Sequence, residues 1–336
     1  KICLLAACSC IFPVAVTKPR LLVHIGTHKT GTTTIQQALD AQGDAYLAAG
    51  VFYPPTDREP WPTLPKHCSV FAAAAHGDAD QAEAERHILL SQFRASGART
   101  MLISEEGLSE PPPRLAQFFA PFATEFDIEV VCFLRRPDLF TESLYNQFVR
   151  QATRREMRSP LMFSRAKGLR DRLKYAAILD RWKALPARIT VIDFDRAVSE
   201  RPLLRLFAES AGLPPLTDSG QRANSSPDMR LAQVLSHLNR QGLNYDLPSL
   251  IRASKVLETD ERFVRRNHLL GRQERAQLLR ELGPDLQRLA DEYGVHFSAE
   301  LPRDEGGASC EDIDPAYALE LLARVSAMHR PAPEGG

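Results

Sequence analysis

The chain has 336 residues, 44% of them apolar and 25% charged, the balance of a soluble globular protein long enough for one large domain or two small ones. Forty-two lysines and arginines balance 42 aspartates and glutamates, so no global field points to a nucleic-acid partner. Six cysteines form no framework: Cys3, Cys8 and Cys10 crowd the N-terminus, while Cys68, Cys132 and Cys310 are scattered. With no CxxC pair or His/Cys ligand spacing, no metal site is expected and the reducing cytoplasm is the default compartment.

Ile2 to Val16 is uncharged and apolar for 15 residues, short of the roughly 20 that cross a bilayer but within the length of a signal-peptide core. Three readings stay open: a leader that exports the chain, a membrane anchor, or an extension outside the main fold, the last being preferred. Membrane contact follows only if the anchor is real. Leu21 to Ile25 then reads as a strand at the centre of a sheet. It feeds the loop Gly26 to Thr33 and a first helix over residues 33–41. A proline-rich loop (Pro54, Pro55, Pro60, Pro62, Pro65), a candidate lid or acceptor wall, leads to helical stretches at 68–75 and 81–95. Strands recur at 99–104, 128–134 and 188–193, with helices predicted at 114–123, 139–150 and 169–185. Such alternation predicts an α/β fold, a central parallel sheet flanked by helices on both faces. From Pro227 the pattern is helical, in the stretches 227–242, 271–294 and 314–329, and the terminal PAPEGG is expected to be disordered. The expected organisation is therefore an extension (1–18), an α/β core (19–226), a helical part of the same domain (227–330) and a tail (331–336).

Three motifs carry chemistry, each at the end of an apolar strand. GTHKTGTT, Gly26 to Thr33, has glycines placed to let successive N–H groups and a helix N-terminus converge on an anion. It departs from the nucleotide loop GxxxxGK[ST]: Thr32 follows the second glycine, and the lysine, Lys29, lies two residues before it. The strand IEVVCFL ends in Arg135-Arg136, and Ser143 lies eight residues beyond Arg135, two turns into the next helix. A guanidinium and a hydroxyl at that spacing suit one phosphate. A kinase would need an acid at such a strand end to hold Mg²⁺. LISEEGLS, Leu102 to Ser109, runs from strand directly into Glu105 and Glu106, at the edge of the crevice where open α/β sheets bind ligands.

In this order and setting the motifs resemble the sulfotransferases that use 3′-phosphoadenosine 5′-phosphosulfate (PAPS), in their bacterial or carbohydrate-type branch. The resemblance implies that His28, Lys29, Thr30, Gly31, Thr32 and Thr33 hold the 5′-phosphosulfate, Lys29 touching the bond that breaks. It further implies that Arg135 and Ser143 hold the 3′-phosphate of the donor and of its product PAP. Glu106 aligns with the family's acid and would be the base; Glu105 stands where the family has serine. The implied reaction is in-line sulfuryl transfer to an acceptor hydroxyl without a metal, Glu106 taking the proton. The RKGxxG motif of the cytosolic animal branch is absent, which leaves the adenine contacts unplaced, with Arg222 and Asn224 as substitutes. Residues 150–174 hold nine basic residues against Glu156 and Asp171, either a solvated surface or a wall that attracts an anionic glycan acceptor. His24 reads as a hydrogen-bonded strand residue, and neither it nor His28 is the first choice for a base. Two alternatives stand beside this reading: a P-loop kinase or NTPase with Asp193 on Mg²⁺, and a PAP-binding protein without turnover.

Overall fold

A computed structural model describes residues 17–56, 65–110, 114–217, 228–263, 265–302 and 312–328. The expectations for residues 2–16, Pro60, Pro62, Arg222, Asn224 and the tail 331–336 lie outside the described residues, as do Cys3, Cys8, Cys10 and Cys310.

Five strands form one all-parallel sheet: β1 (Arg20–His24), β2 (Val51–Phe52), β3 (Thr100–Ser104), β4 (Asp127–Leu134) and β5 (Ala187–Asp193), in the spatial order β2-β3-β1-β4-β5. β1 is central, as expected from its unbroken apolar run. Alternate residues supply two cores. Leu21 and Val23 join Ile103, Val130 and Cys132 on one face, under helices that include much of the chain beyond residue 228. Leu22, Leu102, Val131 and Phe133 meet Ile35, Leu39 and Phe207 on the other. The fold is thus the α/β architecture predicted, and the helices Met229–Arg240, Leu247–Leu257, Arg272–Glu281, Gly283–Tyr293 and Pro315–Met328 contribute to the core on the first face.

The departures are local. Residues 114–123, expected as one helix, form the short helix Leu115–Phe119 and a 3₁₀ turn Ala120–Thr124, because Pro121 has no N–H to continue the α ladder. Residues 169–185 break into Lys167–Arg172 and Tyr175–Lys183. Asp285, distant in sequence, accepts from the backbone N–H of Ala176 (3.1 Å) and Ala177 (3.3 Å) and so caps the second helix from outside. The stretch 271–294 divides into Arg272–Glu281 and Gly283–Tyr293, Pro284 taking the first turn of the second. The helix Leu247–Leu257 was not expected, although Asp246 caps it through Ser249 N–H and Pro248 opens it. β2 is only two residues long, too short to leave a pattern.

Among the described residues no helix is long and apolar enough to cross a membrane.

Candidate active site

β1 and β3 end level, His24 beside Ser104. β4 runs three residues past the partner of His24, Val131, to Leu134. The chain after β1 therefore continues along β4, with Ile25 N–H donating to Val131 O (3.1 Å) and Thr27 N–H to Phe133 O (2.7 Å). The loop then turns back over itself. Thr30 and Thr32 hydroxyls both donate to Thr27 O, at 2.7 and 3.2 Å, so these residues have their amides rather than their hydroxyls left for an anion. Gly31 has φ +75°, and a Cβ there would lie 2.3 Å from Leu203 Cδ2; a Cβ on Gly26 (φ +80°) would lie 2.9 Å from Cβ of Glu106. Left-handed backbone favours glycine at both positions, and at Gly26 the close approach of Glu106, Cα included, adds to it. Thr32 and exposed Thr33 begin the helix Thr32–Ala41, where the first amides have no acceptor within the helix.

Lys29, itself at φ +67°, is half-buried. Burial first, then the charges of Arg150 and Arg135, lower its pKa to about 8. Among the described residues no carboxylate pairs with it. Arg135 donates to Lys29 O (3.4 Å) and to Asp195 Oδ1 (3.1 Å), and its backbone carbonyl accepts from Tyr175 OH (2.7 Å). Arg136, the second arginine at this strand end, is turned away from the loop. It is 6% exposed, pairs with Asp138 (2.7 and 2.9 Å) and donates to the carbonyls of Ser298 and Glu300, so it is a structural tie. Ser143 lies part-exposed on the helix Pro137–Arg150, on the same stripe as Gln147 and Arg150. Arg150, whose charge acts on Lys29, was not singled out in the sequence; its spacing of two turns from Ser143 is the signal that could have found it.

The acids lie across the loop from these cations. Glu105 is buried, caps the 3₁₀ turn Glu106–Ser109 through Gly107 N–H (2.8 Å), and is pushed up by burial and by the charge of Glu106. Glu106 accepts from Lys66 Nζ (3.0 Å) through Oε1 and from Gln36 Nε2 (3.2 Å) through Oε2. Burial works against its charge, but Lys66 and then His28 outweigh it and hold the carboxyl below its usual range. Glu106 is therefore an ionised acceptor, with a lone pair left on each oxygen. His28 turns to this side: its Nε2 lies 2.9 Å from Glu110 Oε1, which Arg172 also reaches (2.7 Å), and its Nδ1 lies 4.0 Å from Glu106 Oε1. It borders the acid, not the cation cluster. Gln36, a polar residue on the buried face of its helix, was a visible anomaly; Lys66, Glu110 and Arg172 left no sequence signal that singles them out.

His24 is fully buried, its Nδ1 2.9 Å from Ser104 Oγ and its ring against Phe133 and Phe207; burial lowers its pKa to about 4, so it is neutral. Asp193 caps the helix Phe194–Glu200 through Arg196 N–H (3.3 Å). β5 is moreover separated from β1 by β4. Among the described residues no group of three or more His, Cys, Asp or Glu side chains is arranged to hold a metal ion.

No family model matches the chain, and no curated protein matches it. Among solved structures it is similar to a sulfotransferase from Alicyclobacillus acidocaldarius, at 18% identity over 84% of this chain and 99% of that one, with a TM-score of 0.46. It is also similar, at 14% identity over 80% of this chain and 87% of the other, to a chain of the PezAT chromosomal toxin-antitoxin system of Streptococcus pneumoniae, with a TM-score of 0.29. Both likenesses are too distant to decide the chemistry, which has to be read from the side chains.

Proposed function

We propose that the chain is a PAPS-dependent sulfotransferase, moving a sulfuryl group to the hydroxyl of a carbohydrate or small molecule. One observation carries the reading: Lys29, Arg135 and Arg150 come together beside a glycine-pinned loop, and Lys29 has no carboxylate partner among the described residues. Such a cluster suits a ligand that carries several anionic oxygens. A 5′-phosphosulfate would lie on the amides of residues 30–33 and Lys29, and a 3′-phosphate on Arg135 and Ser143. When bound, PAPS supplies the sulfuryl group.

The chain's own residues do the rest. Lys29 and the helix N-terminus are preorganised toward charge that develops on the leaving phosphate. Glu106, ionised, takes the acceptor proton on a free lone pair of its carboxylate. Since Lys66 and His28 hold it low, it is a weak base at neutral pH, and much of its contribution is orientation of the acceptor hydroxyl. The Mg²⁺-dependent kinase alternative needs Asp193, which is engaged as a helix cap at the sheet edge.

Glu106→Gln keeps the shape and the contact with Gln36 possible while removing the base. The expected result is a fall of about 10²–10⁴ in kcat for transfer of ³⁵S from PAPS, with PAP affinity within a factor of about two of the wild type. A variant as active as the wild type would exclude Glu106 as the base. Tight PAP binding with no acceptor sulfated by either protein would favour the binding protein without turnover.

A further inference from the structure

Beyond the donor loop, a cavity of about 390 Å³ is lined by Arg150, Ala152, Arg155, Asn244, Tyr245 and Leu247, within the range of about 300–1,000 Å³ usual for small-molecule sites. Its composition is one-sided: two arginines and no acid line it. Among the described residues neither arginine is paired with a carboxylate. Arg150 donates Nε to Asn146 O (3.0 Å), which leaves both Nη groups uncommitted. Arg155 donates Nε to Asn239 Oδ1 (3.3 Å) and Nη2 to Leu243 O (2.5 Å), which leaves Nη1. Two nearby acids have partners of their own. Glu156 holds Arg158 at 2.7 and 2.5 Å, and Asp246 accepts from Ser249 Oγ (2.5 Å).

The floor is fixed. Tyr245 OH donates to the same Asn239 Oδ1 (2.8 Å), and the Arg155 guanidinium lies over the Tyr245 ring at 5.5 Å. Asn239 is itself held by donating to Val149 O (3.0 Å) and Glu156 O (3.2 Å). Arg155 is therefore locked in place rather than waving in solvent, and a locked guanidinium loses little entropy on meeting an oxyanion.

The cavity is also joined to the donor site. Arg150 lines it and at the same time lies close enough to Lys29 for their charges to repel. A group anchored there would share Arg150 with the surroundings of Lys29. Resting on the sulfotransferase reading, we propose that the acceptor is anionic, and that a carboxylate or sulfate ester on it binds between Arg150 and Arg155, placing a neighbouring hydroxyl at the loop. The substrate class is thus a sugar acid or an already sulfated saccharide, and the basic stretch 150–174 contributes through these two arginines in particular.

The test uses isothermal titration of the full chain, with and without saturating PAP, against three probes. These are a disaccharide ending in glucuronic acid, its methyl ester, and the corresponding neutral-ended disaccharide carrying a sulfate ester. Either anionic probe is expected to bind about 10- to 100-fold more tightly than the methyl ester, the size of charge-assisted hydrogen bonds. The stronger of the two tells carboxylate from sulfate. Arg155→Gln is expected to abolish the difference and leave PAP affinity unchanged, while Arg155→Lys restores part of it. Equal or absent binding of all three probes to the wild type, which needs no variant to fold, overturns the proposal. Loss of PAP binding alone would count against the donor reading, and the titrations without PAP would still decide the acceptor site.

Discussion

Replacing Lys29 by methionine is expected to lower kcat by about 10²–10³, the loss usual for one preorganised charge at a developing anion, and to raise the melting temperature of the unliganded protein by a few degrees. The two effects have one cause. Burial, Arg150 and Arg135 all disfavour the ammonium, so its folded pKa of about 8 lies below the ordinary 10.5. A group shifted down in this way releases its proton more readily when folded. It therefore costs stability below pH 8, and the cost is relieved as pH rises from about 8 towards 10.5. The same shift sets an alkaline limit: kcat/KM, which reports the free enzyme, is expected to fall above about pH 8 as Lys29 loses its charge. In kcat the limit should move higher, because a bound anion favours the charged lysine. Lys29→Arg should remove the limit altogether. A methionine variant with full activity, or one that melts lower, would contradict the role given to this residue.

The largest effect on stability is expected from Arg275→Met. This guanidinium is 1% exposed and meets Asp138 Oδ2 at 2.6 Å, Glu142 Oε1 at 2.5 Å and Leu270 O at 2.9 Å. It thereby ties the helix Arg272–Glu281 to the helix that carries Ser143 and Arg150. Removing it leaves two buried carboxylates short of a partner, at a cost of about 3–5 kcal/mol. Glu142 retains the amides of Leu269 and Leu270 and His268, and Asp138 retains Arg136, so the variant should fold. Urea titration should show a lower midpoint with little change in slope. Arg288→Ala, which breaks exposed pairs with Asp180 and Glu292, should move the midpoint far less in the same assay, because exposed ion pairs are screened by solvent. Equal effects of the two would mean that the buried network carries no special share of stability. Burial works against the Asp138 charge, yet Arg136 and Arg275 hold the carboxyl below its ordinary range. Its contribution is present above the unfolded value and is lost as pH falls through the lower, folded one.

What could be read from sequence was what is contiguous. An apolar strand followed by a glycine loop, a strand ending in arginine and a strand ending in two acids each lie within a few residues. Their convergence follows because parallel strands deliver their C-terminal ends to one edge. What could not be read depends on contacts made across the chain. Arg135 and Arg136 are neighbours with the same side chain, yet one borders the loop and the other is buried against Asp138 and the carbonyls of residues 298 and 300. Lys66 reaches Glu106 from 40 residues away and reverses the effect of burial on its pKa. The break at Leu173 and Lys174 owes its cap to Asp285, more than 100 residues on. By contrast, the helix Leu247–Leu257 had a legible start in Asp246 and Pro248.

The donor site is tested most directly by isothermal titration of the full chain with PAP, ADP and ATP, each with and without Mg²⁺, for the wild type and Arg135→Ala. Metal-independent PAP binding, tighter than that of ADP and weakened at least tenfold in the variant, is the expected result. Tighter binding of Mg²⁺-ATP, with Arg135→Ala silent, would contradict the sulfotransferase reading and return the loop to the nucleotide kinases.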